Sequence, residues 1–301
     1  MTSMSQYPIR TISEMTGVPT TTLRAWERRY GLLKPSRTPK GHRLYSAQDI
    51  ELVREIVKLL KSNHTISEAI RITRNPELSD LVSSTSEDHW QSYQQRILKS
   101  IENFNDQNLD RTYNEALSIY PVDMVNEHVI IPVLQTLGSS WSEKPAGIAE
   151  EHFFSAFLRN KLGARLHHDA HRAKGRKVFI SCLPGENHEL GILLFSLALL
   201  GHGYQVLYLG GNLPLQQIPL VAERTEIDAV LLSGTRTDLW TASFKNEMAD
   251  MISTLSVPIL LGGEFSSRYE NELNTMGIQV LGSDHVDALE RMQSLVPAFK
   301  R

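Results

Sequence analysis

Four short runs hold the residue types that bind metals and large ligands: Glu186-x-His188-x-x-Gly191, Ser233-x-Thr235, Gly262-Gly263 and, upstream, Trp141 followed by Glu151-His152. An imidazole such as His188 can give the lone pair of one nitrogen to a metal while a nearby carboxylate, Glu186, accepts a hydrogen bond from the other. That partnership fixes the tautomer and raises ligand basicity. Taken alone, the pair also fits a surface histidine beside a helix start. Gly191 admits a close backbone or a bulky ligand. Ser233, Thr235 and Gly262-Gly263 end apolar runs, and small residues at successive strand ends leave a deep slot for a large planar ligand or its tail. The Trp141 indole can cover such a ligand, with Glu151 and His152 as polar partners, although a tryptophan in a helical core is the plain alternative. A lone cysteine, Cys182, excludes a thiolate cage and an internal disulfide, and fits a reducing compartment.

A second set of residues suits a polyanion. Residues 1–75 contain 13 Lys and Arg against 6 Asp and Glu, a balance of +7, while the rest holds 18 against 28, so the formal net charge of −3 conceals a basic head on an acidic body. Arg24 and Arg28 lie one helical turn apart with Arg29 beside them, placed to enter a major groove or grip its phosphates. The stretch that follows presents Arg37, Lys40, His42, Arg43 and Tyr45 on a narrow tip suited to backbone contact. Trp26 and Tyr30 belong to the same set, either as DNA contacts or as packing of a small domain.

These residues need particular elements to hold them. A helix near Thr11–Met15 breaks at Thr16-Gly17-Val18 and restarts at Pro19-Thr20 through Gly31, which is helix-turn-helix spacing; Lys34 to His42, with two prolines and Gly41, suits a tight hairpin. A polar stretch from Ser79 to Asp88 reads as a linker. From about Trp90 to Leu166 apolar residues recur at helical spacing: Ile97, Ile101 and Phe104; Val125, Val129, Ile130, Val133 and Leu134; Phe153, Phe154, Phe157 and Leu158. After Lys177 five short apolar runs, 178–180, 205–209, 229–232, 258–261 and 278–281, alternate with helical segments, which predicts a parallel doubly wound sheet with its site at the carboxyl ends of the strands. The expected architecture is multidomain: a winged helix-turn-helix head over 1–78, a four-helix bundle over 86–172, and a flavodoxin-like (Rossmann-like) α/β domain over 176–301. The longest apolar run, Gly191 to Leu200, falls short of the roughly 20 residues that span a bilayer, and the first residues lack a signal-peptide core, so the expected location is cytoplasmic with no membrane partner.

The ordered series Ile9-x-x-Ile12-Ser13, Leu23-Arg24-x-Trp26-Glu27-Arg28-x-Tyr30-Gly31-Leu32 and Gly41-His42-Arg43-x-Tyr45 resembles the MerR family of transcription regulators over about positions 7–75. The resemblance implies a dimer on a pseudo-palindromic operator, the second helix reading bases and the wing touching phosphates; Trp26 stands where many members have Tyr. Glu-x-His-x-x-Gly, Ser-x-Thr and Gly-Gly in this order resemble the cobalamin-binding domain shared by methionine synthase, the mutases and a group of MerR-type regulators. There the His is the lower cobalt ligand, which implies His188, and the nucleotide tail enters the slot. Glu186 replaces the commoner Asp, retaining hydrogen bonding, and Thr235 a commoner Leu, lining the slot. Trp141, nine residues, then Glu151-His152 resembles the motif that surrounds the upper adenosyl group in light-sensing regulators of the CarH and LitR type.

The resemblances together imply an adenosylcobalamin-dependent, light-responsive regulator, a repressor, that binds double-stranded operator DNA as a dimer or tetramer and releases it after photolysis. Ser142 departs from the light-sensing pattern, which has His after the motif Trp to take the upper cobalt position after photolysis. Two alternatives stand beside this reading: a light-independent sensor of cobalamin or another ligand, and a cobalamin enzyme. The enzyme is disfavoured because mutases and methyltransferases need a separate substrate barrel of about 250 residues, for which this chain has no room.

Overall fold

The computed structural model describes residues 6–39, 41–62, 64–78, 86–140, 144–170 and 173–299. They form two compact units, Met1–Phe154 and Ser155–Arg301.

In the first unit, helix α1 (Ile9–Thr16) stops at Gly17, whose φ of 72° lies in the left-handed region and lets its N–H return to Ser13 O. The chain then turns through Val18-Pro19 into α2 (Thr20–Tyr30), as the spacing predicts. Helices α3 (Ala47–Lys61) and α4 (Ile66–Arg74) both open on capping boxes, Ser46 with Asp49 and Thr65 with Glu68, which satisfy the first orphan N–H groups. The hairpin is present as β2 (Ser36–Arg37) and β3 (Arg43–Ser46). A further strand, β1 (Gln6–Pro8), pairs with the other edge of β3 to give an antiparallel sheet of order β1-β3-β2. Three residues ending in proline are too short to show alternation, so this strand is silent in the sequence. Ile12, Leu23, Trp26, Val53, Ile56 and Leu60 form the fully buried centre of the head.

Helices α5 (Ser86–Glu102) and α6 (Asp106–Ile119) follow, then α7 (Val122–Val125), which runs through a π turn at Asn126–Ile130 into α8 (Ile131–Ser140), and finally α9 (Gly147–Ala170). The expected stripes are buried at Ile97, Ile101, Val125, Val129, Ile130 and Val133. Phe104 departs from its stripe: it sits in the turn after α5 at φ 47°, 47% exposed, because the helix ends two residues before it. Helix α9 is continuous for 24 residues, and the compact units divide inside it, after Phe154.

The head is joined to this helical region through one helix end. Trp26 Nε1 donates to Ile119 O at 2.7 Å and Thr22 Oγ1 to Leu117 O at 3.4 Å. These carbonyls lie in the last turn of α6, where no intrahelical donor remains, so α2 supplies the missing partners. Trp26 is 0% exposed.

The second unit holds β4 (Lys177–Cys182), β5 (Gln205–Tyr208), β6 (Ala229–Ser233), β7 (Ile259–Gly262) and β8 (Gln279–Gly282), all parallel in the order β5-β4-β6-β7-β8. Helices α10 (Leu190–Gly201), α11 (Gln217–Arg224), α12 (Ala242–Thr254), α13 (Glu264–Arg268), α14 (Glu270–Thr275) and α15 (His285–Leu295) cover both faces. Alternate residues of β4 serve two cores: Phe179 with Leu183, Val230 and Phe265 on one face, Val178, Ile180 and Cys182 with Phe195, Leu231 and Met292 on the other. The apolar run at Gly191–Leu200 is α10, a core helix buried nearly all round. No described helix is long and apolar enough to cross a membrane. Strand order reverses between β4 and β6, so the loops leaving them bound a switch-point crevice.

Trp26→Ala is expected to lower the stability of the first unit by roughly 3–5 kcal/mol in urea unfolding. Trp26→Phe, which keeps most of the packing and loses the Nε1 donor, should cost about 1–3 kcal/mol. A Trp26→Phe variant as stable as the wild type would show that the bond to Ile119 adds nothing.

Candidate functional site

The β4 strand delivers the chain to the carboxyl edge of the sheet, where Leu183 N–H is held by Ser233 O and the Gly185 N–H by Asn212 Oδ1. The turn drops the Glu186 side chain inward, to 1% exposure, and leaves that of His188 72% exposed. Glu186 Oε1 accepts from the His188 ring Nδ1 at 2.6 Å and the His188 N–H at 2.9 Å. Its Oε2 accepts from Thr235 N–H at 2.6 Å, Thr235 Oγ1 at 2.8 Å and Arg236 N–H at 3.2 Å. Burial alone raises this carboxyl, but the donors of Thr235 and His188 outweigh it and hold the pKa down to about 2. An ionised carboxylate only accepts, so Nδ1 carries the proton, and Nε2 is the ring nitrogen left to face a metal on a side chain that is mostly exposed.

Thr235, expected to line a slot, secures Glu186 with two donors, and its hydroxyl lies 3.3 Å from His188 Nδ1. A β-branched hydroxyl on the first loop residues after β6 can reach a carboxylate that a leucine could not. Gly263, after β7, has φ 87°, and a Cβ there would lie 2.4 Å from Gly234 O and 3.2 Å from Ser233 Oγ. The Gly262-Gly263 turn therefore lets the β6 exit loop pass in contact and keeps Thr235 in reach of Glu186. Gly191 opens the second position of α10, where an added Cβ would meet only His285 Nε2 at 3.9 Å.

Other residues of the loop carry no motif. Glu189 accepts from the Tyr208 hydroxyl at 3.0 Å and pairs with Arg159 of α9, anchoring the start of α10 beside His188. Burial, then the Glu189 charge, pushes the Tyr208 hydroxyl up. The turn Gly210-Gly211-Asn212 after β5 places Asn212, whose Oδ1 holds the Gly185 N–H on the same edge. Cys182 is buried, and burial followed by the Glu186 and Glu189 charges raises its thiol to about 12, which removes it as a thiolate ligand. Among the described residues no group of three or more His, Cys, Asp or Glu is spaced to cage a metal ion. A lone exposed imidazole is instead the donor set for an ion that brings its own equatorial ligands, so these residues fit a corrinoid.

Glu151 is half-buried and His152 exposed near the start of α9, in the first unit; Trp141 lies outside the described residues. In the head, Arg24 and Arg28 form an exposed stripe on α2, and Arg37 and His42 are exposed on the hairpin, with Lys40 outside the described residues. Two members of the expected DNA-contact set are corrected. Trp26 is buried against α6, and Tyr45, 1% exposed, points its hydroxyl to Glu27 Oε2 at 3.1 Å, so neither reaches a groove. Tyr45 is pushed up to about 12 by burial and then by Glu27. Glu27 Oε1 also holds Arg43 Nε at 3.1 Å, tying the wing to α2. Tyr30 is half-buried, and Arg29 turns toward α6.

The depressed pKa of Glu186 makes the second unit pH-sensitive. Its charged form stabilises the fold above pH 4.5, the ordinary value, and that contribution is lost as pH falls toward about 2. Between those limits the stability of the wild type relative to Glu186→Gln should fall by about 3 kcal/mol, read by urea unfolding at a series of pH values. A difference independent of pH would contradict the network.

Residues 7–75 match the family model described as MerR HTH family regulatory protein, and residues 93–166 that described as B12 binding domain. The HTH-type transcriptional repressor CarH of Myxococcus xanthus is 26% identical over 295 residues, covering 94% of this chain and 97% of that protein. CarA of the same organism is 26% identical over 274 residues, 90% and 91% of the two chains. A methionine synthase of Mycobacterium tuberculosis matches 215 residues, 18% of its length. Among solved structures, the monomethylamine corrinoid protein of Methanosarcina barkeri shares the fold, with a TM-score of 0.53 at 16% identity over 68% of this chain and 99% of its own. The chain thus joins a MerR-type helix-turn-helix to a B12 binding domain and is homologous over most of its length to the CarH and CarA transcriptional repressors.

Proposed function

We propose that the protein is an adenosylcobalamin-dependent, light-responsive repressor that holds operator DNA in the dark as an oligomer and releases it on illumination. The observation that carries the reading is the exposed His188 ring locked on buried Glu186, in a chain whose head displays Arg24 and Arg28. Bound adenosylcobalamin supplies a cobalt–carbon bond that light cleaves. His188 Nε2 would hold the cobalt, and Glu186, itself held by Thr235, keeps that ring oriented with its proton on Nδ1. Ser233, Gly262 and Gly263 border the seat of the nucleotide tail, with Gly191 next to it. We assign Trp141, Glu151 and His152 to the adenosyl group.

At the other end, Arg24 and Arg28 read base edges, and Arg37, Lys40, His42 and Arg43 contact phosphates. Several heads presented together raise affinity through effective concentration rather than new base contacts. Regulation rather than catalysis is supported by the names of CarH and CarA, the relatives that match over most of the chain.

Ser142 favours a second reading of the final step. A hydroxyl replaces imidazole poorly on cobalt, so the photolysed cofactor is held less firmly here than where His follows the motif tryptophan, and the response then rests on cofactor loss.

Purified protein loaded with adenosylcobalamin should bind a duplex from its own promoter region in the dark, elute as an oligomer, and lose both properties after green light. Unchanged affinity and size after illumination would remove the photoreceptor part, leaving a light-independent cobalamin sensor. His188→Ala should fail to give the spectrum of histidine-ligated cobalamin while its sheet unit remains folded; an unchanged spectrum would exclude His188 as the ligand. After illumination and gel filtration the wild type should retain less corrinoid than its Ser142→His variant, and equal retention would count against the role given to Ser142.

A further inference from the structure

Helix α2 has two different exposed sides. Arg24 and Arg28 make the outward stripe, whereas Thr22, Trp26 and Arg29 follow one another at helical spacing on the flank that meets α6. Between the two helices lies an open cleft of about 520 Å³ lined by Arg29, Arg111, Asn114, Glu115 and Ser118. Its one carboxylate is already engaged: Glu115 receives Arg96 of α5 at 2.6 and 3.3 Å and the Tyr93 hydroxyl at 3.4 Å. Asn114 is bonded to Asp110 and Ser118 to Glu115 O. Arg29 and Arg111 make no hydrogen bond or ion pair among the described residues; the cleft's carboxylate, Glu115, feels the Arg29 charge but is bonded to Arg96, so two exposed guanidiniums share the cleft with one carboxylate already paired to a third.

A helix about 10–12 Å across fills a major groove about 12 Å wide, and its flanks then face the sugar-phosphate rims. The flank of α2 that carries Arg29 is also where α6 brings Arg111. We propose that this cleft seats a backbone phosphate of the bound duplex, held by Arg29 and Arg111, so that the DNA footprint extends from the helix-turn-helix onto α6. The inference rests on the DNA-binding reading above and adds a residue outside the head. Guanidinium forks suit phosphate oxygens, and the contact carries register and affinity rather than base preference.

The test is the salt dependence of binding, measured by fluorescence anisotropy with the full-length protein and a labelled duplex that this protein has selected from a random pool. Arg111→Ala should weaken binding roughly tenfold and lower the slope of log affinity against log salt by about one, alike for selected and unselected sequences. Arg29→Ala should do the same, the double variant should add little further loss of affinity, and Arg111→Lys should recover most of the slope. Arg111 is exposed, so unfolding midpoints should be unchanged. If the wild type binds no duplex, the DNA-binding reading itself fails. If the wild type binds and Arg111→Ala shows the same slope and affinity, this inference is overturned. It is also overturned if Arg111→Ala keeps the slope but loses thermal stabilisation by inorganic phosphate, since the cleft then takes a small anion instead.

Discussion

A carboxylate removed from water must be met by donors or give up its charge, and Glu186 imposes that requirement on the whole carboxyl edge of the sheet. Its two oxygens call for the N–H and hydroxyl of Thr235, so the loop leaving β6 must run past it. That path brings Gly234 against Gly263, where no side chain fits. It also leaves one acceptor position for the ring of His188, which fixes the imidazole without covering it. A small parallel sheet thus presents one oriented ring nitrogen at the point where its strand order reverses.

The basic head obeys a similar economy of donors and acceptors. The last carbonyls of α6 have no partners within their own helix, and α2 supplies them from Thr22 and Trp26. The consequence is a division of labour around α2: one side is committed to the helical region, one to the head's own core, and the Arg24–Arg28 stripe stays open. In the proposed reading, attaching α2 to α6 as well as to the three-stranded wing supplies an element whose position both functions could bias.

Much of this is legible in the residues, for reasons that differ by element. The five strands and the turn at Gly17 are visible because burial on both sheet faces and a left-handed turn each leave a local signature, apolar runs in one case and Gly-Val-Pro in the other. Glu186 and His188 are legible as a pair because the two residues lie two apart on one loop. Trp26 is not: its partner carbonyl is 93 residues away, and nothing near either position announces the contact. Thr235 reads as a small slot residue until the backbone brings it to a carboxylate 49 residues earlier. The strand β1 and the departure of Phe104 from its stripe fail for a third reason, since three residues or a helix end give too little pattern to count.

Glu27 has an effect that concerns the duplex more than the protein. By holding Arg43 with one oxygen and Tyr45 with the other, it joins the wing to α2 as a single body. The span between the Arg24–Arg28 stripe and the hairpin tip is therefore fixed, and in the proposed DNA-binding reading it acts as a gauge. A duplex whose groove and flanking phosphates are spaced differently cannot be met by flexing the head, so the misfit falls on the DNA as bending or twisting energy. Stiff and pliable base steps at positions the protein never touches then become distinguishable to it.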